Sequence, residues 1–345
     1  MAAKMWLAPA AALGLAHVVF HWWIWSWQFE AFPSFRGTYP APWRTLRAHW
    51  LTLQRLFRFA TSPIRRLPDF YIIGAPKAGT SALYSYLSLH PAVKEPFMKE
   101  SRFLSGMCGS RLSGLLYRSL FPTWWGSRGC LTFDSDATAS LQPALAAAMY
   151  KQLTPNAKII LSCREPCSGV FSMYKMRSRI KGRGEHHLSF RDMYDLEMGL
   201  STSVEWQNLE DLAAALDRNE SVAITLGLAR CVLCSSMIRG FHYADILLEF
   251  YRRFKPENVL IIRFKDLAAD TESTVRRIFS FLDLPDIPLP DLTTIHPQDV
   301  MDIALEEEAQ TAELSQADRS LLEAYFQVRN QDFAKLMGKP LEELW

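Results

Sequence analysis

The stretch Asp69-Phe-Tyr-Ile-Ile-Gly-Ala-Pro-Lys-Ala-Gly-Thr-Ser-Ala-Leu83 admits few folds. Its first part, residues 70–73, is a short β-branched and aromatic run that reads as a buried strand. A Gly/Pro/Gly loop follows from Gly74 to Gly79, and Thr80 opens a segment with helical spacing at Leu83 and Leu87. Strand, glycine loop and helix start in that order build a phosphate cradle, because backbone N–H groups and the positive end of the helix dipole converge on one point. Gly74, Gly79 and Ser81 keep the spacing of the nucleotide-triphosphate pattern G-x-x-x-x-G-K-[ST], but its lysine position is Thr80 and a lysine stands inside the loop at Lys77. An ATPase without that lysine loses its β/γ-phosphate contact. A lysine ahead of the second glycine is placed to neutralise a group leaving from a 5′-phosphate, which argues for a nucleotide other than ATP.

The same punctuation recurs downstream. Strands are expected at 131–134, 157–162 and 258–263, and helices at 142–153, from Pro166 onward, and at 238–254, 271–282 and 314–337. Strands alternating with helices from 69 to 285 predict an α/β domain with a parallel sheet and helices on both faces, P-loop-like in its first unit. Ligands then bind at the strands' C-terminal ends, where the 74–81 loop and Arg164 both fall. Arg164 at a strand end, with Ser172 two turns along the next helix, is suited to grip a second phosphate. Two Lys-Glu pairs, Lys94-Glu95 and Lys99-Glu100, follow the first helix. A carboxylate beside a lysine serves as a base only where it is desolvated, and Glu100 is the better placed of the two. Arg177, Arg179, Lys181, Arg183, His186 and His187 form the densest basic patch, either a solvated face or an attractor for an anionic acceptor.

With 345 residues the chain holds one large α/β domain plus appendages, or two small domains. A net charge of +2 gives no global reason to expect a nucleic-acid partner, and six cysteines are too few for a disulfide scaffold. Residues 5–29 contain no Asp, Glu, Lys or Arg, and Trp22, Trp23, Trp25 and Trp27 crowd their C-terminal end. That run is long enough to cross a bilayer, with an interfacial aromatic belt. A cleaved signal peptide with Ala10 to Ala12 near the cleavage site is the alternative, but cleavage there leaves an apolar, Trp-rich N-terminus exposed. The expected organisation is a tail at 1–4, a transmembrane anchor at 5–29, a stem at 30–68 and a catalytic domain at 69–345. Charge counting across the anchor places the body of the protein in the cytosol. Within the stem, Trp43, Leu46, Trp50, Leu53 and Phe57 recur at helical steps, with Arg44, Arg47, Arg55 and Arg58 on a neighbouring face. Such a helix lies on a membrane surface or docks on the domain, and Leu51 on the basic side suits neither arrangement cleanly. Asn219-Glu-Ser221 is a glycosylation sequon, and Cys231-Val-Leu-Cys234 has no second pair or histidine at zinc spacing, so it supplies buried thiols or disulfide partners.

Taken together, these residues resemble the PAPS-dependent sulfotransferases, in particular the Golgi carbohydrate sulfotransferases of the N-acetylgalactosamine 4-sulfate 6-O-sulfotransferase type. The resemblance covers about residues 69–345. Tyr71 to Ser81 is similar to that family's 5′-phosphosulfate loop, and Leu161-Ser-Cys-Arg164 with Pro166 and Ser172 to its 3′-phosphate motif. His90-Pro91 followed by Lys99-Glu100 matches the spacing to its candidate base, and Leu267, Val275, Phe279 and Phe281-Leu-Asp-Leu-Pro285 match its C-terminal signature. The sequence departs from the family where Gly169 replaces a second Arg, Glu165 replaces an Asn, and Ser135 stands where the heparan branch has Lys. The resemblance implies sulfuryl transfer from PAPS, leaving PAP, to an acceptor hydroxyl, with no metal. Lys77 and Glu100 would be catalytic. Lys77, Ala78, Gly79, Thr80, Ser81, Arg164 and Ser172 would hold the donor, and Lys99, Arg177, Arg179 and His186 would lie on the acceptor side. It further implies a glycan or glycosaminoglycan acceptor, with a tyrosine or small-metabolite hydroxyl as the alternative. The implied location is a single-pass type II Golgi membrane protein with a luminal catalytic domain, which overrides the charge count, permits use of Asn219 and permits a Cys108–Cys130 disulfide. Readings outside this class are a P-loop kinase or NTPase, which the missing lysine at 80 opposes, and a non-catalytic glycan-binding module.

Overall fold

A computed structural model describes residues 41–101, 113–178, 188–200, 211, 213, 214, 217, 218, 236–290, 292 and 313–345. In chain order the elements are α1 (Ala41–Ala60), β1 (Phe70–Ile72), α2 (Thr80–Ser88), β2 (Val93–Lys94), α3 (Ser113–Arg118), β3 (Leu131–Ser135), α4 (Pro143–Leu153) and β4 (Lys158–Cys163). Then come α5 (Pro166–Ser178), α6 (Phe190–Leu200), α7 (Tyr243–Tyr251), β5 (Val259–Arg263), α8 (Phe264–Ala269), α9 (Thr271–Phe281), α10 (Gln316–Met337) and α11 (Leu341–Leu344).

The five strands run in the order β2-β3-β1-β4-β5, and every pairing is parallel. Strand residues alternate between two cores, as a period of two demands when both faces are covered. Phe70, Ile72, Ile160 and Ile262 face one side, where Leu83 and Leu87 of α2 and Val275 and Ile278 of α9 cover them. Tyr71, Ile159 and Leu161 face the other, under α4, α5, α7 and α10. Two aromatic stacks fix the register around the central strand: Phe70 on Phe133 at 5.0 Å and Tyr71 on Tyr150 at 3.9 Å. Because the chain passes from β3 across β1 to β4, the loop after β1 lies between the ends of β3 and β4, the position where an open α/β sheet binds ligands.

The expected α/β order therefore holds, with two local differences. β2 is a two-residue edge strand inside a segment whose only sequence signal was charge. The helix expected at 238–254 is broken into a 3₁₀ turn at Arg239–Phe241 and α7. The break has a physical reason, because a Cβ at Gly240 would sit 3.0 Å from both Leu141 and Pro76, so this turn packs directly on the loop after β1. A buried carboxylate pins the turn from behind. Glu197 accepts from Ser236 Oγ at 2.6 Å, Met237 N at 2.6 Å and Ile238 N at 2.8 Å. Its pKa is raised by burial, against the lowering effect of those donors.

The two departures in α5 also have structural causes. Glu165 accepts from the N–H groups of Cys167 at 2.9 Å and Ser168 at 2.7 Å, so it caps the helix. Burial would raise the Glu165 carboxyl, but those donors at Ser168 and Cys167 outweigh it and hold the pKa low. A Cβ at Gly169 would lie 2.1 Å from the ring of Phe241, so no side chain fits there while that ring stays in place.

The stem helix docks on the domain, but by the face opposite to the apolar one. Arg58 donates to Ser119 O at 2.7 Å and Phe121 O at 3.1 Å, and its guanidinium lies 4.6 Å from the centre of the Phe97 ring. Arg55 and Leu51 are half-buried on the same side, which accounts for the apolar residue among the arginines. Burial first, and the neighbouring Arg65 second, pull the Arg58 pKa down to about 10. Among the described residues no helix is long and apolar enough to cross a membrane, and the expected anchor at 5–29 lies outside them.

Overpacking at Gly169 is directly testable. Gly169→Ala is expected to lower stability by about 1–3 kcal/mol in chemical denaturation. Combining it with Phe241→Leu should show a favourable coupling in a double-mutant cycle, and strict additivity would refute the contact.

Candidate active site

The turn after β1 holds three residues with left-handed backbone: Gly74 at φ 129°, Lys77 at φ 60° and Gly79 at φ 83°. Neighbours enforce two of them sterically as well. A Cβ on Gly74 would meet Ser140 Oγ at 2.6 Å, and one on Gly79 would meet Leu267 at 3.0 Å and Phe264 at 3.1 Å. The turn is an extension of the sheet, since Ala75 N donates to Ser162 O at 2.7 Å and Ser162 N to Gly74 O at 2.8 Å. Ser162 Oγ also donates to the carbonyl of Ala78. Gly79 is the residue before α2 and has no side chain with which to cap that helix. Thr80 is buried and Ser81 half-buried in its first turn, so the N-terminal N–H groups and the dipole aim at the mouth of the turn.

On the β3 side of this turn lies the Lys99-Glu100 pair. Residues 97–100 run past the strand end, with Phe97 N donating to Leu120 O at 2.6 Å and Glu100 N to Ser135 O at 3.1 Å. Lys99 Nζ donates to Ser81 Oγ at 2.6 Å and to Glu100 Oε1 at 3.3 Å, with side chains 6% and 22% exposed. Sequence reasoning put Lys99 on the acceptor side. In the structure its ammonium lies in the first turn of α2, beside Ser81 Oγ. Glu100, itself at φ 60°, is carried with it to the rim of the same site.

On the β4 side, Arg164 Nη1 donates to the carbonyl of Lys77 at 3.0 Å, and its guanidinium lies 4.9 Å from the Phe264 ring centre. Its main chain is gripped by one phenol: Arg164 N donates to Tyr243 OH at 2.9 Å, and Tyr243 OH donates to Arg164 O at 2.8 Å. Tyr243 is fully buried and packs on Phe333 and Trp345, with centroids 5.2 Å and 5.6 Å away. Burial lowers the Arg164 pKa, and the guanidinium keeps its charge because an arginine starts so high. Ser172 is half-buried in α5, the helix that begins two residues after Arg164. Tyr243 and Phe264 escaped the sequence reading because neither lies in a motif, and only the fold brings them to Arg164.

The basic patch changes character. Arg177 is 2% exposed, so it is no part of a solvated acceptor surface. Its spacing explains this, because Val170 is fully buried and lies two helical turns earlier on the same face of α5. Arg179 and His186, together with Asn219, Cys108 and the Cys231–Cys234 pair, lie outside the described residues. Cys130, the other half of the expected disulfide, is a free thiol.

Behind Glu100 sits a buried carboxylate cluster that the sequence did not signal. Asp134 Oδ2 accepts from Ser101 Oγ at 2.6 Å and Tyr117 OH at 2.9 Å, while Asp136 Oδ1 accepts from Thr138 N at 3.0 Å. Burial, and next the charge of Asp136, push Asp134 from its ordinary 3.8 up to about 7. A carboxyl with a raised folded-state pKa binds its proton more tightly folded than unfolded, so its contribution is lost as pH rises from about 4 to about 7. Asp134→Asn is therefore expected to flatten the fall in melting temperature between pH 5 and pH 8. An unchanged pH profile would show that Asp134 is ionised throughout.

Similarity to known proteins agrees with this geometry. The family model described as "Sulfotransferase domain" matches residues 67–302. Carbohydrate sulfotransferase 15 of Mus musculus is 26% identical over 302 residues, covering 72% of this chain and 49% of its own length. Bifunctional heparan sulfate N-deacetylase/N-sulfotransferase 1 of Caenorhabditis elegans is 26% identical over 230 residues, covering 65% of this chain and 23% of its own. The chain thus spans about half, or less, of the length of these curated relatives. The crystal structure of a sulfotransferase from Alicyclobacillus acidocaldarius covers 81% of this chain and 99% of its own at a TM-score of 0.54 and 24% identity, a likeness of fold. The range of the family match takes in β1, the 74–79 turn, β4 and Arg164 and more than half of the chain, which belongs to the sulfotransferase-domain family.

Proposed function

We propose that this chain transfers a sulfuryl group from PAPS to a hydroxyl of a glycan, within a Golgi lumen reached by an N-terminal anchor. The observation that carries the reading is the pair of lysines at one helix start. Lys77 lies in the turn, and Lys99 Nζ lies 2.6 Å from Ser81 Oγ. Such a site suits a donor's 5′-phosphosulfate, with N–H and hydroxyl donors from Gly79, Thr80 and Ser81. Ala78 is held by its own carbonyl and shapes the turn. Arg164, with Ser172 farther along α5, is the candidate holder of the 3′-phosphate that separates PAPS from ATP. The names of the two curated relatives, a carbohydrate sulfotransferase and a heparan sulfate sulfotransferase, support a sugar acceptor.

The donor supplies an activated sulfuryl group, and the protein's part is positioning and charge. Lys77 and Lys99 stabilise negative charge that builds on the departing phosphate oxygens. Glu100, at the rim beside Lys99, takes the proton from the acceptor hydroxyl. Arg179 and His186 remain the acceptor-side candidates.

The test is the full chain with labelled PAPS against desulfated and partly sulfated glycans, tyrosine peptides and small alcohols. Transfer to a glycan is the expected result, and transfer to a peptide or small alcohol instead would reassign the acceptor. Absence of all transfer, with no thermal stabilisation by PAP, would sink the enzyme reading. Lys77→Ala should cost about 10²–10³ in kcat, and Glu100→Gln about 10²–10⁴ with PAP binding retained. Unchanged turnover in Glu100→Gln would remove that residue from the base role.

The charge-free run at 5–29 supports the anchor, and the family resemblance, against the charge count, supports the luminal location. It makes Asn219 a glycan acceptor in cells. An endoglycosidase-sensitive mobility shift that disappears in Asn219→Gln is expected, and a chain lacking any shift would count against the luminal orientation.

A further inference from the structure

We infer that the stem helix α1 lies flat on the bilayer, its apolar stripe in the interface and its arginine face bolted to the catalytic domain. The inference rests on the reading of residues 5–29 as an anchor and goes beyond it, because an anchor alone leaves the domain on a free tether.

The stripe consists of side chains the domain does not use. Trp50 is 61%, Leu53 60% and Phe57 65% exposed, at the three- and four-residue steps of one helix face, with Leu56 beside them at 50%. The surface continues past the helix end. Ile64 O accepts from Trp124 N at 3.1 Å, Trp124 and Trp125 are themselves exposed, and the Arg66 guanidinium lies 5.5 Å from the Trp124 ring centre. A run of large exposed apolar side chains of this kind marks an interaction site.

The other face is committed to protein. Arg58 holds the carbonyls of Ser119 and Phe121, Arg65 Nη1 holds Phe121 O at 2.7 Å, and Arg118 Nη1 holds Arg65 O at 3.0 Å. The helix therefore cannot roll to bury its stripe against the domain without breaking these bonds. This inverts the usual arrangement of a docked amphipathic helix, in which the apolar face meets the core.

The occupant follows from the chain itself. The charge-free run ends at residue 29 and α1 begins at Ala41, so 11 residues (30–40) link them. Fully extended, that link spans at most about 40 Å, which keeps the helix within reach of the membrane that 5–29 would enter. Tryptophans are the side chains that best suit the headgroup boundary, with an apolar ring and one N–H donor. A lipid surface accommodates this convex stripe directly, since it needs no complementary groove.

The test uses the full chain in lipid nanodiscs, with an environment-sensitive fluorescent amino acid at Leu53, at Leu56 as a second stripe position, or at Val328 of α10 as an exposed control. Brominated acyl chains should quench the two stripe positions several-fold more than the control, and aqueous iodide should quench only the control. Iodide quenching at 53 and 56 equal to that at 328 would place the stripe in water and overturn the inference. Protection from both quenchers would mean that protein covers it, either residues 1–40 or a second copy, and would overturn it as well. Alkaline carbonate extraction of the same membranes separates the two readings. A chain that is released, yet shows the lipid quenching pattern on re-added vesicles, loses the anchor and keeps the stripe. A released chain that does not bind vesicles loses both.

Discussion

Everything at the site depends on the backbone of the turn after β1, which bends back through left-handed conformations at Gly74, Lys77 and Gly79. For a lysine that conformation costs roughly 1–2 kcal/mol, and its surroundings hold it in place. The sheet's hydrogen bonds run on into the turn through Ala75 and Ser162, Ser140 sits under Gly74, and Arg164 takes the carbonyl of Lys77. The result is a helix start whose N-cap, Gly79, brings no side chain of its own, aimed at the gap between the ends of β3 and β4. The same bond ties the end of β4 to the turn, so that the Arg164 guanidinium is placed by the conformation of that loop.

A chain of contacts well away from the reacting groups stabilises this arrangement. Glu197 holds the main chain at 236–238, and the turn that follows brings Gly240 against Pro76 and Phe241 against Gly169. Two residues on, at the start of α7, Tyr243 grips Arg164 through both its N–H and its carbonyl. A single returning segment thus supports the donor loop, the start of α5 and the strand-end arginine. Buried carboxylates that accept several main-chain N–H groups act in this way because leaving any one donor unpaired costs about 1–3 kcal/mol.

Much of this was legible in the sequence where it follows a short period or a local rule. The strand–glycine–helix unit, the parallel alternation, Arg164 at a strand end and Glu100 near the loop all come from patterns a few residues long. What stayed hidden depends on which way an element is rotated in the fold. Arg177 shares a run with basic neighbours, yet the helical spacing that buries Val170 buries it too. The sequence of α1 left a membrane surface and the domain equally open as its partner, but Arg58 found main-chain carbonyls at Ser119 and Phe121, and so the arginine face is the one that docks. Lys99 was assigned by its position beside Glu100, and nothing in that spacing says that its ammonium would reach back to Ser81.

The departures from the family pattern take on a meaning in this setting. Glu165, where an asparagine is usual, caps α5 with its carboxylate, and Gly169, where a second arginine is usual, makes room for Phe241. Both changes serve the packing of α5, and both take positive charge or hydrogen-bonding capacity away from the β4 side of the site. On the β3 side, Lys99 shares its ammonium between the Ser81 hydroxyl at the start of α2 and the carboxylate of Glu100. In the proposed function, charge stabilisation by Lys99 and proton removal by Glu100 therefore meet at one ion pair.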